Sequence, residues 1–78
     1  SLDFKREIVR VAIDELKKHL TDYQKYQAVG ITWESGDASS IYTVTLDIPF
    51  GPTDQTVLIK VEYLNEVWQA TDFHQGGA

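Results

Sequence analysis

Residues 40–50 carry the clearest pattern in the chain. Tyr42, Val44, Leu46, Ile48 and Phe50 alternate with Thr43, Thr45 and Asp47, and this two-residue period predicts a half-buried strand. Val57, Ile59, Val61 and Tyr63 alternate in the same way with Leu58, Lys60 and Glu62, predicting a second strand over 56–64. Asn65-Glu66 follows, then Val67 to Phe73, which reads as the return strand of a hairpin. Asn65 takes up left-handed backbone readily, whereas Glu66 is a poor second turn residue beside the usual glycine. An earlier strand is predicted over 28–34, with Val29, Ile31 and Trp33 on one face.

The first twenty residues follow a different period. Phe4, Ile8, Ala12, Leu16, Leu20 and Tyr23 recur at spacings of three or four, with Val9, Val11 and Ile13 widening the stripe. This predicts a helix over about residues 3–22. Asp3 is the expected N-cap, and Lys17, Lys18 and His19 place positive charge where a helix C-terminus favours it. Arg10–Asp14 and Asp14–Lys18 are spaced for ion pairs on the outer face. Turn chemistry separates the strands at 35–39 and 51–55, Pro49 is placed at a strand end, and 74–78 reads as a frayed tail. Short links force consecutive strands into an antiparallel meander. The expected fold is therefore α+β: one N-terminal helix on one face of a four-stranded sheet, in a single domain over 1–78.

Composition narrows the chemistry. The 78 residues contain no cysteine, so neither disulfides nor thiolate metal sites stabilise the chain. The net charge of −5 argues against nucleic acid or an anionic membrane as the main partner. That charge is unevenly spread. Residues 1–20 hold five bases against four carboxylates, whereas 21–78 hold Lys25 and Lys60 against eight. No apolar run is long enough for a transmembrane segment, and the first residues do not read as a signal peptide. The start at Ser1 reads as an internal boundary, leaving room for a leader, an anchor or a neighbouring domain in a longer protein. Both a cytoplasmic and an extracytoplasmic location fit a cysteine-free chain.

No catalytic set stands out. Ser35, Ser39 and Ser40 lie in a turn without a nucleophile-elbow context, and the glycines form no phosphate-cradling loop. His19 is expected to serve the helix end. His74, two residues after Asp72, is the beginning of an acid–base or metal pair but has too few companions for a metal. No cofactor, metal or catalytic residue is assigned. Asp47, inside an apolar strand, is expected on the face away from the helix, either solvated or covered by another subunit. It would need Glu34, Glu62 or Asp72 beside it to make a carboxylate pair.

The helix-then-meander order and the ending Val-Trp-Gln-Ala-Thr-Asp-Phe over 67–73 resemble the cystatin-like fold. The resemblance runs best over 41–73 and is closest to small members of the nuclear-transport-factor-like superfamily. It implies a bacterial accessory or anchored domain that works by association. The superfamily hosts enzymes and binders as well, so fold does not select function. The protease-inhibitor branch presents a Gln-x-Val-x-Gly hairpin and a Pro-Trp hairpin. Here Gln27-Ala28-Val29-Gly30 lacks one spacer, and Trp68 follows Val67.

Two functional expectations follow. The first is a non-enzymatic protein-interaction or self-association module. Its protein partner, or a homo-oligomer, would meet the open sheet face at Ile41, Thr43, Asp47, Leu58 and Lys60, with Phe50 and Asp54 from the 49–54 loop. The second is a small-ligand binder or weak enzyme with a cavity between helix and sheet and Asp47 or Asp72 as its polar group. Trp68 is expected in the core beneath the helix.

Overall fold

The structure is a computed structural model and describes residues 2–20, 27–33, 40–50 and 53–76. The side chains of Asp3 and Trp33, the tyrosines 23 and 26, the turn at 35–39 and the loop positions 51 and 52 lie outside what it describes. One helix, α1 (Leu2–His19), is followed by β1 (Gln27–Trp33), β2 (Ile41–Phe50), β3 (Thr53–Leu64) and β4 (Val67–Gly76). The strands form one antiparallel sheet in the order β1-β2-β3-β4. This is the expected α+β arrangement.

The two periods in the sequence meet in one core. Ile8, Ala12 and Leu16 of α1 are fully buried against Val44 and Leu46 of β2 and Val57, Ile59 and Val61 of β3. Tyr42 and Ile48 extend the same cluster. Burying each large aliphatic side chain contributes about 1.5–3 kcal/mol, which has to offset chain entropy without help from cross-links. No polar or charged side chain is buried among the described residues.

At 18 residues, α1 is about 27 Å long. It packs chiefly on β3 and β4 and less on β2. Its first turn places Phe4 against Tyr42 and Trp68, with ring centroids 5.2 and 5.5 Å away. Trp68 also meets Tyr42 at 5.8 Å and Tyr63 at 5.0 Å. At the other end the His19 ring lies 3.9 Å from Phe73 in a parallel stack, and its Nε2 is 2.9 Å from Glu15 Oε2. Two aromatic contacts thus fasten the ends of the helix along β4. Of the expected ion pairs, Arg10–Asp14 forms at 2.8 Å, while Lys18 turns to Glu15 at 3.7 Å instead of Asp14.

The strands differ from expectation chiefly in the reach of β3 and β4 and in the register of β4. β3 begins at Thr53, because residues 53–55 pair with 48–50 and extend the hairpin into the predicted loop. β4 continues to Gly76, since His74, Gln75 and Gly76 pair with Leu58, Val57 and Thr56. A tail with weak strand propensity is held there by the length of its partner. β4 also shifts register: Val61 faces Ala70 while Lys60 faces Asp72, so Thr71 is an extra residue, a β-bulge. The bulge lets Trp68, Ala70 and Phe73 all pack on the helix side, which strict alternation forbids. A similar shift occurs in β1 between Ala28 and Gly30. The β1 ladder ends at Gln27 opposite Asp47, so Pro49 lies past it, where β2 pairs with β3 alone among the described residues.

The β3–β4 turn has Asn65 at φ 53° and Glu66 at φ 65°. Both central residues are left-handed, as a two-residue hairpin of this twist requires. Replacing Glu66 by Gly is expected to raise stability by about 0.5–1 kcal/mol: glycine removes the Cβ clash but loses more freedom on folding. Thermal unfolding measures the gain, and an unchanged or lower midpoint would contradict the turn geometry. Trp68 is half-buried at the sheet edge, with three aromatic neighbours. Trp68→Ala is expected to destabilise by about 3 kcal/mol in denaturant titration. A variant with parental stability that had lost association would instead make Trp68 a binding residue.

Candidate functional site

The face of the sheet opposite α1 is built by the positions that alternate with the core. Its rows follow from the register. Thr32, Thr43, Lys60 and Asp72 form one, and Gly30, Thr45, Leu58 and His74 the next. Asp47 and Thr56 lie toward one end of the strands, and Ile41, Glu62 and Gln69 toward the other. The paired strands thus gather five of the expected residues, Ile41, Thr43, Asp47, Leu58 and Lys60, on one surface. Phe50 and Asp54 occupy the end of the β2–β3 hairpin, opposite Thr53 and Pro49 respectively, and their side chains lie outside the described residues.

The surface is polar with apolar islands. Leu58 is 37% exposed, and Leu64 and Val67, paired at the hairpin end, are 42% and 55% exposed. Its carboxylates are held by local donors. The Thr56 hydroxyl donates to Asp47 Oδ1 at 3.2 Å, the Thr71 hydroxyl donates to Glu62, and the Phe73 backbone N–H donates to Asp72 Oδ1 at 3.0 Å. The bulge is therefore used twice. It sends Phe73 to the core and brings the Thr71 hydroxyl onto Glu62.

The register does not bring Glu62 or Asp72 beside Asp47. Asp47 lies opposite Thr56 and Glu62 opposite Ile41, six positions away along β2, or roughly 20 Å at the rise of a strand. Asp72 is in the row of Lys60, four positions along β3 from Thr56, or roughly 13 Å. Glu34 lies outside the described residues. Asp72 and His74 do share a face, both exposed, but no cluster of three or more metal-ligating side chains occurs among the described residues.

Asp47 stands on the face its place in the alternation predicts, and neither it nor Asp72 lines a space between helix and sheet. Both stand on the face away from α1, because each alternates with, or pairs beside, residues of the buried row. The described helix–sheet space is filled by aliphatic side chains. An open groove of about 330 Å³ does lie between α1 and β4, over Val11, Trp68 and Ala70. Its charged rim of Asp14, Glu15 and Lys18 is occupied by pairs internal to the helix.

The outer face of α1 adds Glu7 to the expected Arg10–Asp14 pair. Arg10 is gripped by Glu7 at 2.5 Å and Asp14 at 2.8 Å. The Arg10 hydrogen bond holds the Glu7 carboxyl below its ordinary range and raises the Arg10 guanidinium in turn. That triad uses up Arg10. Among the described residues no carboxylate pairs with Lys5, Arg6 or Lys17, and these three, with the Arg10–Asp14 pair, line an open groove of about 530 Å³ around half-buried Val9 and Ile13. The signal was present in the sequence as the excess of bases in residues 1–20; which bases are unpaired required the side-chain geometry.

No protein-family model matches the chain, and neither a curated protein nor a solved structure matches it.

Asp47 tests whether the open face is wet. Its one described partner is a hydroxyl, so Asp47→Asn is expected to shift the stability of the dilute protein by no more than about 0.5 kcal/mol. A loss several times larger in denaturant titration would mean that the carboxylate is buried beneath another subunit.

Proposed function

We propose that this chain is a protein-association module that works through the open face of its sheet. The observation that carries the reading is the contrast between the two faces. One is closed by α1 over a wholly apolar core. The other presents Ile41 and Leu58 among threonines, three carboxylates and Lys60, with none of its described residues fully buried. A rigid, paired surface with apolar points inside a polar field is what a protein partner can desolvate at low ordering cost.

In this reading the domain is a small cystatin-like relative of the nuclear-transport-factor-like group, serving a bacterial accessory or anchored protein. The helix-then-meander order and the Trp68-to-Phe73 ending support that kinship. Its role needs no chemistry at Asp47, Asp72 or His74; these side chains give the face its charge.

Light scattering over a concentration series tests the proposal. The parent chain is expected to grow in mass with concentration, and the pair Ile41→Lys and Leu58→Lys to weaken that growth at least tenfold with an unchanged circular dichroism spectrum. A strict monomer at every concentration, or undiminished association of the double variant, would overturn it.

A further inference from the structure

The chain is acidic, yet among the described residues the cations without an ion-pair partner, Lys5, Arg6 and Lys17, lie on one flank of α1. Lys5, Arg6 and Lys17 are exposed, and they bracket Val9 and Ile13, which keep part of their surface in water. The flank that faces β4 differs in kind: there Val11 meets Trp68 and Ala70, and Glu15 and Lys18 neutralise each other. The cationic flank has apolar area and positive charge without a described counter-ion. In a protein of net charge −5, such a surface asks for an anionic partner.

The open sheet face has the complementary pattern. Asp47, Glu62 and Asp72 outnumber Lys60, and Leu58 lies between the row of Asp47 and the row of Asp72. Ile41 lies beside Glu62. Along the strands the face therefore reads carboxylate, leucine, carboxylate with lysine, then isoleucine with carboxylate. Along the helix the flank reads two cations, Val9, Ile13, one cation. The lengths agree as well. Lys5 and Lys17 are twelve positions apart, roughly 18 Å along a helix. Asp47 and Glu62 are separated by six positions of strand register, roughly 20 Å.

We infer that the partner of the open sheet face is a second copy of this chain, which docks the Lys5–Arg6–Val9–Ile13–Lys17 flank of its helix there. The inference rests on the association reading above and adds the identity of the opposing surface. The contact repeats the intramolecular packing, a helix laid on a sheet, with charge at its edges in place of a purely apolar seam. It is heterologous: each copy offers one helix flank and one sheet face, so contacts propagate into an open chain or close into a ring instead of ending at a twofold dimer.

Charge-reversed and charge-neutral variants of the whole chain test this by sedimentation velocity. The helix variant carries Lys5→Glu, Arg6→Glu and Lys17→Glu. The sheet variant carries Asp47→Lys, Glu62→Lys and Asp72→Lys, with Asp47→Asn, Glu62→Gln and Asp72→Asn as the milder set should the reversal disturb folding. The parent is expected to form species larger than dimers that dissociate in about 1 M salt, where screening acts within about 3 Å. Each variant alone is expected to associate at least tenfold more weakly. A one-to-one mixture of the neutral sheet variant with a neutral helix variant, Lys5→Gln, Arg6→Gln and Lys17→Gln, is expected to give a heterodimer and nothing larger, because the only intact surfaces left are one sheet face and one helix flank. Undiminished association of the helix variant, while the sheet variant stays monomeric, would overturn this inference and leave the open-face reading standing. Undiminished association of both would overturn the two together. A parent that stops at a salt-insensitive dimer would overturn the helix-on-sheet contact.

Discussion

The structure depends on the burial of a single stripe, Ile8–Ala12–Leu16, on Val44, Leu46, Val57, Ile59 and Val61. A chain of 78 residues without cysteine has no second source of comparable stabilisation. Ala12, at the centre of the stripe, is as completely buried as its larger neighbours. The aromatic contacts at Phe4–Trp68 and His19–Phe73 then fix the helix along β4, where the aliphatic seam alone would let it swivel. Placing the helix over β3 and β4 is also what leaves the flank of Val9 and Ile13 only half covered.

The bulge at Thr71 follows from the same constraint. Trp68 and Ala70 have one parity and Phe73 the other, yet all three pack toward α1. An extra residue is the way a strand presents such a set on one face, and its local twist also suits an edge strand that should not recruit further strands. Asp72 and His74 are thereby moved to the open face, into the rows of Lys60 and Leu58. Their setting there follows from the needs of the core.

The fold was largely legible in the sequence because its two periods are clean. The alternation of 42–48 and 57–61 and the three-and-four spacing of 4–20 name the buried residues almost one by one. The candidate face was legible for the same reason: alternation that buries Val57 and Ile59 must expose Leu58 and Lys60. What alternation does not show is pairing length and register. Residues 53–55 and 74–76 have turn-like or polar composition and become strand only because a partner strand runs beside them. The bulge was hidden in an ordinary Ala-Thr-Asp-Phe. The distances that keep Asp47 apart from Glu62 and Asp72 likewise come from cross-strand register, which a single strand's pattern does not contain. Lys18 pairing with Glu15 over Asp14 is a similar case, since Arg10 already holds Asp14.

The segregation of charge between helix and sheet is not required by either element. A helix of this length is served by basic residues in its last turn, and Lys17, Lys18 and His19 already provide them. Lys5 and Arg6 stand in the first turns, where the helix dipole disfavours positive charge, and the neighbouring Glu7 is held by Arg10. The sheet has the opposite excess, with three carboxylates on its open face, each with one local donor among the described residues. Cations placed against the local electrostatic preference of the helix contribute little to the fold of one copy. Their contribution rises when the opposing carboxylates come from outside it, as they do when the helix of one copy lies on the sheet of another.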